Sequence, residues 1–191
     1  MPHLIAGTDR DNIVREVVVS EEGNLINLEY IQDYVHQGRI WTVNMREKSN
    51  ANNGIIWLRI RTGTKQLHLV INFTNGGDGY FDTWSASTNY ATDGTAPDGI
   101  KCSVFNRSGV VQVPLLSTVT FNPTFTVANT PNGTQRGLRG IQGGTGGNST
   151  GGAERGGIES VIRPNSDFLC AVTNVSGQTK MSTMDIEMYE E

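Results

Sequence analysis

Alternation of apolar and polar positions with period two is the dominant pattern along the chain. In residues 65–73, Leu67, Leu69, Ile71 and Phe73 fall on one face and Gln66, His68, Val70 and Asn72 on the other, as in a half-buried strand. Residues 39–45 repeat it, with Trp41, Val43 and Met45 against Ile40, Thr42 and Asn44. The turn cluster at 48–54 leads into a strand over 55–60, and Asn75-Gly76-Gly77-Asp78-Gly79 ends the 65–73 strand. Further strands are predicted over 13–19, 80–85, 101–105, 110–113, 118–126, 158–163, 168–172 and 180–188. Many short strands with regular turns predict an all-β fold, a single antiparallel β-sandwich of jelly-roll type rather than alternating β-α units.

Three stretches break the pattern. Residues 1–12 carry no periodicity and read as an N-terminal arm, which leaves 13–191 for the sandwich. Leu25, Leu28, Ile31 and Val35, with helical spacing and Gly38 behind them, predict a short N-terminal helix. Between residues 137 and 157, 10 of 21 residues are Gly, so this loop cannot build its own core and reads as a linker, a hairpin tip or an arm ordered by a partner.

Bulk properties narrow the classes of function. The 191 residues suffice for one sizeable core, and 36% hydrophobic content with 23 Gly suits strands and turns. A net charge of −4 offers no general attraction for phosphate backbones, so no nucleic-acid partner is expected. No apolar run approaches the roughly 20 residues of a membrane span, and no membrane partner is expected. The first seven residues lack the basic and apolar regions of a secretory leader, which predicts a soluble protein that is not exported by that route. Cys102 and Cys170 are far apart in apolar runs and read as buried thiols more than as a disulfide.

No catalytic, cofactor-binding or metal-binding residue is assigned, and no cofactor is expected. His3, His36 and His68 share no spacing with a nucleophile or with one another. The carboxylate pairs Asp9/Asp11, Asp78/Asp82 and Asp185/Glu187 allow acid-base chemistry in principle. Asp185 and Glu187, however, alternate with Met184, Ile186 and Met188 and fit a solvated strand face better. Asn75, Asp78 and Asp82 flank a Gly-rich turn with oxygen ligands but lack the spacing of a 12-residue calcium loop. Gly143-Gly144-Thr145-Gly146-Gly147 is not followed by the Lys-Ser or Lys-Thr of a phosphate loop. Sequons at Asn72, Asn106, Asn132, Asn148 and Asn174 need no glycan without a secretory route. Trp41, Trp57, Trp84, Tyr80 and Tyr90 would serve a core, a subunit interface or a carbohydrate platform.

Two runs resemble the front half of a family of small structural proteins encoded among the head genes of tailed phages: Tyr34-Val35-His36-Gln37-Gly38-Arg39-Ile40-Trp41 and Leu58-Arg59-Ile60-Arg61-Thr62-Gly63-Thr64-Lys65-Gln66-Leu67-His68-Leu69. The back half is similar through Asn106-Arg107-Ser108, Asn122-Pro123-Thr124, the loop at Gly143 to Gly147, Arg163-Pro164-Asn165-Ser166-Asp167-Phe168-Leu169, Thr173-Asn174-Val175-Ser176-Gly177 and Tyr189-Glu190-Glu191, in that order. The chain departs from the family pattern at Ile158-Glu159-Ser160, where a tryptophan is usual, and at Cys170. The resemblance implies a non-enzymatic virion component made in the host bacterial cytoplasm. It would be a capsid decoration protein with a jelly-roll-like fold, bound as a homotrimer to the major capsid protein on the capsid surface. The alternative expectation is a head-fibre or tail-associated carbohydrate-binding module using Trp41, Trp84 or Tyr90.

Overall fold

The alternation in residues 65–73 becomes strand β5, Leu67–Asn75, with every second residue buried. In the computed structural model, residues 39–97, 113–143 and 160–191 are described in full. Backbone alone is described for the strands His3–Thr8, Val14–Val19, Lys101–Cys102 and Glu154–Arg155.

The strands, in chain order, are β1 His3–Thr8, β2 Val14–Val19, β3 Trp41–Asn50, β4 Ile55–Arg61, β5, β6 Gly79–Ser85, β7 Tyr90–Thr92, β8 Lys101–Cys102, β9 Thr118–Phe121, β10 Thr124–Phe125, β11 Thr134–Ile141, β12 Glu154–Arg155, β13 Ser160–Ile162, β14 Asp167–Asn174 and β15 Lys180–Glu190. One sheet runs β11-β6-β14-β4-β9 and the other β12-β5-β15-β3-β8, with β13 also on β5. Antiparallel pairs nest around the centre: β3 with β15, β4 with β14, β5 with β13 and β6 with β11. A long antiparallel ribbon rolled up in this way, its successive pairs alternating between two sheets, is the winding of a jelly roll.

The alternating residues of both sheets meet in one core. Trp41, Val43 and Met45 of β3, Leu67 to Phe73 of β5 and Met184, Ile186 and Met188 of β15 face Ile56, Leu58 and Ile60 of β4, Phe81 of β6 and Cys170 and Val172 of β14. Phe73 and Phe81 stack across the two sheets, with centroids 4.0 Å apart. Each fully buried large side chain contributes roughly 1.5–3 kcal/mol, and β4 and β14 carry several in succession because their second face is covered too. There Trp57, Leu169 and Ala171 pack under Phe125 of β10, with Tyr90 of β7 alongside. The β7-β10 pair thus forms a flap over the outer face of the five-stranded sheet.

Several expectations are corrected. Residues 3–8 of the expected N-terminal arm are strand, paired with β2 from His3↔Val19 to Thr8↔Val14 in a two-stranded sheet of their own. The front of the Gly-rich segment is also strand. β11 pairs with β6 from Thr134↔Ser85 to Ile141↔Gly79, absorbing an irregularity between Gln135 and Gly137, and Glu154–Arg155 pairs with β5. The 118–126 strand divides at the Asn122-Pro123 turn, where Asn122 adopts φ 48° and its side-chain oxygen accepts the Trp57 N–H at 3.0 Å. The helix expected over 25–38 and residues 110–112 of the strand expected over 110–113 lie outside the described residues, and Val113 is not in a strand.

Candidate functional site

Among the described residues, a constellation of ionisable side chains joins the flap to the sheet. Residues Arg59 and Arg61 project from the outer face of β4, with Asp167 opposite Arg61 at the start of β14. Arg59 Nε and Nη2 donate to Asp167 Oδ2 at 2.8 and 2.7 Å, and Nη1 donates to Asp93 Oδ1 at 2.6 Å. Its guanidinium carbon lies 3.5 Å from the centroid of the Tyr90 ring, and Tyr90 Oη donates to Asp167 Oδ1 at 2.6 Å. Burial works against the Arg59 charge, but the Asp167 hydrogen bond and charge outweigh it, so its pKa rises. Burial first, and then the bond to the Asp167 carboxylate, push the Tyr90 phenol up. Every group is held by another in a saturated arrangement that binds the flap to the sheet.

The other candidates from the sequence are dispersed. His68 stacks on Tyr189, with centroids 4.5 Å apart. Its Nδ1 lies 3.0 Å from Tyr189 Oη and its Nε2 3.1 Å from Gln66 Nε2 and 3.3 Å from Glu191 Oε2. Asp185 accepts from Asn44 Nδ2 on the outer face of β15, while Met184, Ile186 and Met188 point into the core. His3 lies in β1, and His36, Asp9 and Asp11 lie outside the described residues. Cys170 is a buried free thiol whose pKa burial pushes up.

The Asn75, Asp78 and Asp82 group does not converge on a cation. Asn75 Nδ2 donates to the carbonyls of Gly77 and Asp78, and Asp78 Oδ1 accepts the Gly143 N–H at 2.7 Å. Asp82 accepts from Gln135 Nε2 at 2.7 Å; burial raises its pKa while that bond opposes the shift. Asn75 belongs instead to a buried network absent from the sequence reading. Ser182 Oγ donates to Asn75 Oδ1 at 2.7 Å and accepts from Asn50 Nδ2 at 2.9 Å. Asn174 Nδ2 donates to the carbonyls of Asn50, Ala51 and Gln178. One polar knot therefore fastens the β3-β4, β5-β6 and β14-β15 turns together.

The aromatics sort by face. Trp41 and Trp57 are buried, Trp84 is partly buried under the flap, Tyr90 is partly buried as part of the flap, and Tyr80 is exposed. Trp41 therefore cannot serve the carbohydrate platform expected of it. An open cleft of about 740 Å³ runs beside β13 and adjoins a slot of about 280 Å³ between the sheets, the two sharing Arg136, Ser160 and Phe168. Its lining includes Ser85, Thr88 and Ser160 and the two arginines Arg136 and Arg163. No group of three or more His, Cys, Asp or Glu side chains with metal-holding geometry occurs among the described residues. No family model and no curated protein matches the chain.

Proposed function

We propose that the chain is a non-enzymatic structural protein of a tailed-phage particle, a decoration protein that binds and stabilises the head as a homotrimer on the major capsid protein. The observation carrying this reading is the use the fold makes of the family-like motifs. Thr62 donates to the carbonyls of Arg163 and Ser166 and accepts the Ser166 N–H, which knits Arg61-Thr62-Gly63 to Arg163-Pro164-Asn165-Ser166-Asp167. Asn122 and Asn165 take the left-handed conformation their turns require, and Asn174 is fully buried in the polar knot. The described motif residues Thr62, Asn122, Asn165, Ser166 and Asn174 hold turns of the sandwich, which supports a fold shared with that family, and the virion role rests on the resemblance. A sandwich with a strand pair over the outer face of one sheet fits a shell component, which needs rigidity and repeated contacts rather than chemistry.

Heads of the encoding phage, prepared without this protein and mixed with purified chain, test the proposal by co-sedimentation. Binding that saturates at a fixed ratio to the capsid subunit supports it. Failure to bind, or binding equally well to unrelated protein shells, overturns it.

A further inference from the structure

The two edges of the five-stranded sheet are treated differently. Strand β9 has four residues, and Thr95 exchanges both backbone hydrogen bonds with Phe121, at 2.8 and 2.7 Å, across its outer side. At the opposite edge β11 runs for eight residues, and no described residue pairs with its outer side. Leu138 is 62% exposed there and Tyr80, on the neighbouring strand, 45%. The two are diagonal neighbours on the outer face, since Tyr80 pairs with Gly140 and Asp82 with Leu138. A Cβ placed on Gly140 would meet nothing within 4 Å. A long edge with an apolar side chain at its middle invites strand addition, which proteins suppress unless they use it.

We propose that β11 pairs antiparallel with β11 of a second copy across a two-fold axis centred on Leu138. Register selects both occupant and centre. Antiparallel partners share a sheet face, so a symmetric pairing that keeps outer faces together must be centred on a residue. Centring on Arg139 places two guanidiniums opposite each other, which is unfavourable. Centring on Gly137 sets Leu138 against Arg136, and centring on Gly140 carries Leu138 past the end of the strand. Centring on Leu138 sets that side chain against its own mate, each Arg139 against a Gly137 and each Arg136 against a Gly140. The glycines leave room for the guanidiniums, and Arg139 already has a partner within its own chain. The product joins two five-stranded sheets into one of ten, with an apolar stripe from Tyr80 through both Leu138 residues to the second Tyr80. A single strand pair buries less than the roughly 1,600 Å² of a standard interface, so the contact is weak alone and gains strength where copies are held side by side. It is independent of the capsid assignment.

Two cysteine variants of the full chain test this under mild oxidation, with the parent protein measuring any background from Cys102 and Cys170. In this register the Leu138 Cα atoms lie about 4.5–5.5 Å apart, within disulfide range. The Gly140 Cα atoms, offset by four residues, lie roughly 13 Å apart. Leu138→Cys should form a covalent dimer as its main product while Gly140→Cys and the parent stay monomeric on a non-reducing gel. Both positions are open to solvent, and circular dichroism checks that each variant is folded. No dimer from Leu138→Cys, equal crosslinking of the two variants or crosslinking of Gly140→Cys alone would each overturn the proposal.

Discussion

Removal of the Asp167 carboxylate strikes the flap clamp where it is least hydrated. The Arg59 side chain is 9% exposed and Asp167 16%, against 56% for Asp93. In Asp167→Ala the Arg59 guanidinium stays under Tyr90 but loses both contacts to Asp167, and Tyr90 Oη loses its acceptor. Orphaning one member of a buried ion pair costs about 3–5 kcal/mol. Because Arg59 keeps its contact to the exposed Asp93 and Asp167 has some access to water, the lower end applies, about 3 kcal/mol. At roughly 2–4 °C per kcal/mol for a chain of this size, Tm should fall by roughly 6–12 °C. Asp93→Ala removes an exposed partner and should cost only about 0–1 kcal/mol. Thermal unfolding followed by fluorescence is the assay, with Trp57 and Trp84, 5.3 Å apart beneath the flap, as reporters. The double variant Arg59→Met with Asp167→Ala should recover much of the loss, since the penalty falls on a buried guanidinium left with only the exposed Asp93. Equal Tm shifts for Asp167→Ala and Asp93→Ala, or a double variant no better than Asp167→Ala, would refute the clamp.

Asp82→Asn should stabilise the fold at pH 7 and have no such benefit near pH 3. The folded-state pKa of Asp82 is raised by burial, so its ionisation penalises the fold above that pKa and vanishes below the unfolded value; chemical denaturation at the two pH values measures the difference. Asn75→Ala removes the acceptor of the buried Ser182 hydroxyl and the donor shared by Asn174 Oδ1 and the Gly77 and Asp78 carbonyls, and should cost about 1–3 kcal/mol by the same assay. Ala86 holds φ 59° without glycine's freedom, so Ala86→Gly should gain roughly 1 kcal/mol, read as a higher denaturation midpoint. In a Cys102→Ser chain, Cys170 should resist a thiol reagent at pH 8 until denaturant is added, whereas fast labelling of the folded protein would contradict its burial.

The strands with strict alternation were legible because one face of each meets a single core. β5 and β15 are the clearest, since Leu67 to Phe73 and Met184 to Met188 repeat the period with few interruptions. β4 and β14 read less cleanly, because the flap covers their second face and makes runs such as Leu169-Cys170-Ala171-Val172 continuously apolar. β11 was hidden by its glycines: pairing with β6 determines its state, and no residue within it announces that. The Arg59, Tyr90, Asp93 and Asp167 clamp was equally invisible, since residues from three segments converge only after the sheet forms. The Asn174 knot left one trace, an Asn-x-Ser turn motif, whose side chains serve backbone satisfaction rather than glycosylation.

Membership of the capsid shell is tested by the copy number of this chain in purified particles of the encoding phage. Quantitative mass spectrometry against the major capsid protein should give a ratio near one or a simple fraction of it. Absence from mature particles, or only a few to a dozen copies per particle, would contradict a shell-wide decoration protein.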